Sequence, residues 1–361
     1  MASAPPPSAA PATAYRHGRA PLLDCIRAIA ILAVFFYHVT TRYPIDSLDP
    51  LARLASKYGF LGVDIFFPLS GFLITRFLLQ STSPHLVQVF FLRRAFRILP
   101  LYMLAVVFYV LAALVTHRDP EILGRIWINI LFLTGWFIYA DGVPSVPFTI
   151  TWSLSVEEFG YILLGLMAWI SRARLGAFVI FLCIAPLALR FALVTQGAEN
   201  LYYFPLTRLD SIGIGGVTAL LVLRGQRYLV PGLAAALIVV LGLMQLDRML
   251  FKTLLFTAIA LGTATTIALA ETRLKALSGR LLRFVADIGF FSYFNYLFQF
   301  FVIEAVLRIS TRVFGDLPWF WPTALVALVV TQGLALLSYR IFEAPLMRLG
   351  RRLEPKSAGP A

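Results

Sequence analysis

Apolar stretches close to twenty residues long recur from one end of this chain to the other, and no other feature constrains its fold as much. About eleven of them approach the roughly 20 residues a helix needs to cross a bilayer. They fall near 22–40, 59–80, 98–116, 126–140, 152–171, 175–195, 205–223, 229–246, 252–270, 284–307 and 319–341. In hydrocarbon each backbone polar group must be satisfied within its own segment, which selects helices over open strands. Composition agrees. Of 361 residues 60% are hydrophobic and only 14% charged, with 31 Phe and 6 Trp, and the mean hydropathy is +0.82. Soluble domains are nearer about 45–50% apolar and about 25% charged. The expected fold class is all-α: a polytopic integral membrane helical bundle.

Charge then orients the bundle. Thirty-one Lys and Arg against 18 Asp and Glu leave a net +13. In a soluble protein that excess would suggest a nucleic-acid partner. Here the basic residues stand in short runs between apolar stretches, as the positive-inside bias requires, so no nucleic acid is expected. The groups Arg76/Arg93/Arg94/Arg97, Arg172/Arg174, Arg224/Arg227, Arg273/Lys275/Arg280/Arg283 and Arg340/Arg348/Arg351/Arg352 fall on one side only if 126–140 does not span. The reading is therefore about ten transmembrane helices with both termini cytoplasmic, and 126–140 re-entrant or interfacial. Residues 1–20, rich in Pro and Ala, read as a disordered cytoplasmic tail. A signal peptide is the rival, but no small-x-small cleavage site follows and the apolar segment runs on to Arg27 and His38. Residues 21–352 form the membrane domain and 353–361 a second tail. Cys25 and Cys183 lie in apolar segments, which argues against a disulfide.

Ionisable side chains inside spans are costly and mark candidate sites. The first span carries Arg27 and His38, about 16 Å apart along a helix. The ten-span topology places Asp64, Glu157, Glu158, Arg208, Asp210 and Gln299 at the depth of His38, with Asn295 near mid-depth. Separate ion pairs could account for one or two of these, Arg208–Asp210 among them. Together they suggest a polar cavity in which a carboxylate orients His38 for general-base work. At the opposite face, three arginines within Phe91-Leu-Arg93-Arg94-Ala-Phe-Arg97-Ile-Leu-Pro100 suit a phosphate-bearing ligand, with plain topology or lipid headgroups as the simpler account. No metal-ligand spacing and no nucleotide-binding glycine motif occur. His17, His85 and His117 sit in loops, and Gly213, Gly215 and Gly216 suit close helix packing.

Taken in order, these residues resemble the bacterial membrane-bound acyltransferase family 3, acyl-CoA-dependent O-acyltransferases of surface and exported glycans. The resemblance rests on Arg27-x10-His38, the segment from Gly62 to Thr75, the segment from Arg93 to Tyr102, Trp152-Ser-Leu-Ser-Val-Glu-Glu158, Thr207-Arg-Leu-Asp210, Ser292-Tyr-x-x-Tyr-Leu297 and Ser338-Tyr-Arg-Ile-Phe-Glu343. It covers nearly the whole chain, from residue 22 to about 352. It implies an acyl-CoA donor at the cytoplasmic side and transfer to a hydroxyl. It makes His38 the essential histidine and Arg27 its partner arginine, and implicates Arg93, Arg94, Arg97 and Glu157. The expected assignment is His38, Arg27, Glu157 and Asp64 for catalysis and Arg93, Arg94 and Arg97 for the donor. Trp152, Glu158, Arg208, Asp210, Asn295 and Gln299 are assigned to the acceptor. Two positions depart from the family pattern. Gln299 stands where many relatives carry histidine, which removes a second acid–base group, and Pro68 replaces a valine and is placed to kink the second span. The hydrolase-like domain of some relatives is not expected, so this unit would act alone or hand its product on.

The function expected is transfer of an acyl group, acetyl foremost, from cytoplasmic acetyl-CoA to a saccharide, in the inner membrane of a bacterium. The acceptor would be an exopolysaccharide, a lipopolysaccharide or a lipid-linked glycan unit. An acyl-histidine intermediate is an alternative route. The same chemistry on a small natural product such as a macrolide is the alternative acceptor, and a glycan or lipid transporter the alternative class. Transporters tend to carry inverted repeats, and none is detectable here. Tyr43, Trp136, Tyr139, Tyr202, Tyr203, Trp319 and Trp321 could bind sugar or form an interfacial aromatic belt, and the belt is the simpler account.

Overall fold

The computed structural model describes residues 21–117, 119–315 and 319–355. The tail read over 1–20, together with 356–361, lies outside the described residues, as do Arg118 and residues 316–318. The described residues form sixteen α-helices. The first half contains α1 (Pro21–Thr40), α2 (Pro50–Tyr58), α3 (Gly62–Gln80), α4 (Leu86–Val115), α5 (Pro120–Gly124), α6 (Trp127–Ile130), α7 (Thr134–Asp141) and α8 (Trp152–Ser171). The second half contains α9 (Leu175–Thr195), α10 (Leu209–Leu223), α11 (Leu229–Met244), α12 (Arg248–Thr272), α13 (Arg280–Phe290), α14 (Ser292–Phe314), α15 (Phe320–Ser338) and α16 (Ala344–Arg352). A π-helical turn, Tyr339–Glu343, joins α15 to α16.

Among the described residues seven helical stretches are long and apolar enough to cross a membrane, and eight if α13 and α14, bent by 68°, count as one span. The expected ten exceed that number at two places. Thr149–Thr195 counts once, as 47 residues; at 1.5 Å per residue it would be about twice the thickness of a bilayer. Ser171, in extended conformation (φ −162°, ψ 99°), interrupts it. Its second half, α9, runs antiparallel to α10, with Val179 against Gly216 and Leu182 against Gly213. Its first half, α8, lies alongside α3, with Trp152 beside Phe67 and Tyr161 beside Ser70. The second place is α11, whose 16 residues fall short. The 126–140 region forms the short helices α6 and α7; the longer has 8 residues, about 12 Å, too few to cross.

Small residues set the tightest contacts. Helices α3 and α10 meet backbone to backbone: a methyl group at Gly71 would overlap the Ile212 carbonyl, while one at Gly215 would overlap that of Pro68. Close approach of backbones is how helices associate in lipid, where burial of apolar surface offers little. The glycine cluster of α10 thus has the packing role expected of it. Helix α3 passes through Pro68 without interruption. Cys25 and Cys183 are both free thiols.

Candidate active site

Because α1 and α14 run one way and α3 and α8 the other, all four pass two chambers at different heights. The first chamber has a volume of about 460 Å³ and opens around His38, near the end of α1. Tyr37, Phe60, Trp152, Tyr202, Tyr203 and Tyr296 supply most of its wall, and His38 is the one side chain in the lining that can carry positive charge. The Nδ1 atom of His38 is buried without a hydrogen-bond partner. Tyr202 and Tyr203 come from the loop before α10, where burial pushes both hydroxyls above their ordinary value and keeps them neutral. The rings brace one another: Trp152 lies 4.6 Å from Tyr202 and 5.3 Å from Tyr203.

The second chamber, about 260 Å³, has the opposite character. Arg27, Arg94, Arg97 and Glu157 line it together with Ser70, Ser153 and Tyr161. Arg27 pairs with Asp24. Neither Arg94 nor Arg97 has an ion-pair partner among the described residues. Arg94 stacks over the Tyr161 ring at 4.3 Å, and the Tyr161 hydroxyl donates to Glu157 Oε2 at 2.6 Å. Two guanidiniums without an ion-pair partner among the described residues, beside a third, have the chemistry to receive an anion, because planar N–H forks match phosphate and carboxylate oxygens.

Tyr296 lines both chambers. Its hydroxyl accepts from Ser153 Oγ at 2.8 Å and donates to the Ile150 carbonyl. Trp152 faces the His38 chamber and the next residue, Ser153, the arginine chamber.

The polar residues assigned to one level are therefore distributed differently. Glu157 lies in the arginine chamber, bound to Tyr161. Asp64 does not turn to His38: its carboxylate pairs with Arg208, and both are fully buried. The Arg208 guanidinium lies 3.5 Å from the Phe256 ring centroid and 5.2 Å from that of Tyr202, one layer behind the chamber wall. Asp210 pairs not with Arg208 but with Arg190, which also donates to Thr257 Oγ1 and the carbonyls of Thr207 and Thr253. Arg93 leaves its two neighbours and binds Glu354 through two hydrogen bonds of 2.7 Å. Glu158, Asn295 and Gln299 line neither chamber. Glu158 Oε1, Asn295 Oδ1 and both amide atoms of Gln299 are buried without partners. The physical reason is common to all: depth along a helix locates a residue to within a turn, whereas 100° of rotation per residue decides which neighbour it meets.

Sequence reasoning missed Arg190, although a lone arginine within the apolar stretch 175–195 is a clear signal. It also left Tyr296 and Tyr161 without roles. Among the described residues no cluster of His, Cys, Asp or Glu is arranged to hold a metal ion.

Residues 21–340 match the family described as acyltransferase domain. The chain is 28% identical to the peptidoglycan O-acetyltransferase OatA of Listeria monocytogenes over 94% of its own length and 57% of that protein's. It is 28% identical to the "Putative peptidoglycan O-acetyltransferase YrhL" of Bacillus subtilis, over 93% of this chain and 56% of the relative. A "Putative O-acetyltransferase" of Staphylococcus aureus is also 28% identical, over 91% and 58% respectively. The chain thus spans little more than half the length of these relatives. No solved structure matches it.

Proposed function

Since the chain belongs to the acyltransferase domain family, we propose that it is an integral-membrane O-acyltransferase that moves an acyl group, acetyl foremost, from acyl-coenzyme A to a hydroxyl of a saccharide. One observation carries this reading: a chamber of unpartnered guanidiniums and a neutral aromatic chamber around His38 share a single wall residue, Tyr296. Arg94, Arg97 and Arg27 would hold the phosphates of the donor, and the pantetheine arm would extend along α1 towards His38. The acceptor would enter the His38 chamber, whose aromatic faces and neutral hydroxyls suit an uncharged sugar ring.

In the reaction His38 takes the proton of the acceptor hydroxyl as that oxygen attacks the thioester carbonyl. The new C–O bond forms, the C–S bond breaks, and coenzyme A leaves as thiolate. The imidazolium then returns its proton to the sulfur. The unpartnered Nδ1 supports this role, because no protein group competes for the position a hydroxyl would occupy. The ends of α8 and α10 on the side of the arginine chamber lead into segments bearing Arg172, Arg174, Arg224 and Arg227. Positive-inside bias therefore supports a cytoplasmic donor chamber, as expected for a bacterial inner-membrane enzyme. The saccharide class follows the relatives in Bacillus subtilis and Listeria monocytogenes, whose names specify peptidoglycan.

The test is a transfer assay on purified protein in detergent, following free thiol released from acetyl-CoA with and without a glycan acceptor. Release should depend on acceptor, and His38→Ala should lower it by about 10²–10⁴-fold, the usual contribution of a general base. Wild-type turnover by a correctly inserted His38→Ala protein would sink the proposal.

A further inference from the structure

Among the described residues Tyr296 alone lines both chambers, and its buried side chain makes two hydrogen bonds there through its hydroxyl. Ser153 donates to that hydroxyl from the arginine side, and the Ile150 carbonyl accepts from it on the His38 side. Both partners belong to the turn that begins α8, so the phenol ring spans the gap between α14 and α8. Tyr296 is buried, as is Ser153. Two neutral hydrogen bonds give a modest net gain when exchanged for others, so the hydroxyl's ties are ones that a passing ligand can replace, while packing against the core holds the ring.

We propose that Tyr296 is the specificity gate of the acyl donor: a thioester bound by the arginines reaches His38 only past this ring, and the ring's bulk limits the acyl group that passes. The inference rests on the donor reading given above. An acetyl group adds little width to the slender pantetheine arm, whereas each further methylene must be accommodated beside the phenol. The hydroxyl latch and the ring have separable tasks. The latch, shared with Ser153 and Ile150, sets the resting position, and the ring sets the size limit.

The experiment compares kcat/KM for acetyl-CoA and butanoyl-CoA in wild type, Tyr296→Phe and Tyr296→Ala, and measures coenzyme A binding to each protein separately. Tyr296→Ala should shift the acetyl-to-butanoyl ratio towards butanoyl by at least about tenfold, the effect of one methylene in a fitted pocket. Tyr296→Phe, which keeps the ring, should hold the wild-type ratio to within about threefold on the same scale. An unchanged ratio in Tyr296→Ala with wild-type coenzyme A affinity would overturn the gate alone. Coenzyme A affinity that is equal in wild type and Arg97→Ala would instead overturn the donor reading on which it rests. Should Tyr296→Ala not fold, Tyr296→Leu removes the ring while keeping apolar bulk, and the same ratio decides.

Discussion

The two chambers share four helices, α1, α3, α8 and α14, with α4 adding Arg94 and Arg97 to the second, yet their chemistry is opposite. Around His38 the wall is largely aromatic, and the charges about it are already matched: Arg42 with Glu304, Asp64 with Arg208, and Asp210 with Arg190. Around Arg97 the guanidiniums line the chamber itself, and two of the three have no carboxylate within ion-pair distance among the described residues. A buried pair is electrically closed to a ligand. An unpartnered arginine still has its Coulomb attraction and its N–H groups to offer. The contrast teaches that intramembrane charge by itself does not mark a site; charge without a partner does. On the function proposed above it also divides the labour, with anion binding in one chamber and proton transfer in the other.

The largest effect should come from opening one of the closed pairs. Asp64→Asn leaves Arg208 buried without a counter-charge, and removing one partner of such a pair typically costs about 3–5 kcal/mol. Thermal unfolding in detergent should fall steeply for this variant. The double replacement Asp64→Leu with Arg208→Met should recover most of the loss, because apolar side chains of similar volume commonly replace a buried pair without penalty. Were Asp64→Asn to fold like wild type while losing transfer, the carboxylate would belong to the chemistry, and the contrast between closed and open charges would fail.

A smaller effect separates the chambers directly. Arg97→Ala should raise the KM for acetyl-CoA by about 10–100-fold, since a hydrogen bond to a charged group is worth about 1.5–3 kcal/mol. It should leave the KM for the acceptor near its wild-type value. Trp152→Leu should do the converse, weakening the acceptor by about 0.5–1.5 kcal/mol through loss of an aromatic partner of Tyr202 and Tyr203. Equal changes in both constants for either variant would merge the two chambers into one site.

How far the sequence carries this picture depends on the kind of information each residue holds. The helical membrane body was legible, because apolar length and lipid chemistry leave few alternatives. The packing role of Gly213, Gly215 and Gly216 was legible because only a missing side chain lets α10 approach α3 and α9 so closely. Arg27 and His38 were rightly set at different heights of α1, and they line different chambers. Pairing was not legible. Asp64 and Arg208 lie 144 positions apart, and nothing in their local sequence states that one faces the other. Glu157 and Glu158 are neighbours in sequence, yet only Glu157 lines a chamber, because consecutive side chains point about 100° apart on a helix. Seven or eight stretches satisfy length and hydropathy against the ten expected, and the difference lies at the Ser171 break, where one 47-residue stretch holds two helices, and at the short α11.

The smallest effect concerns Arg93, which sequence placed with Arg94 and Arg97 and the fold turns away towards Glu354. That guanidinium holds the Glu354 carboxyl below its ordinary value of 4.5. A carboxyl depressed in the folded state contributes stability that is complete above the unfolded value and drains away as pH falls through the folded one. At neutral pH, Glu354→Gln should therefore cost no more than about 0.2–1 kcal/mol, the range for half-exposed pairs. The difference from wild type should shrink below pH 4.5, and added salt should reduce it at any pH. Because Arg93 stands outside the chamber, the KM for acetyl-CoA should not change in Glu354→Gln. A fall in that KM would mean that freeing Arg93 lets it bind the donor, and the boundary of the open-charge chamber would then have to include it.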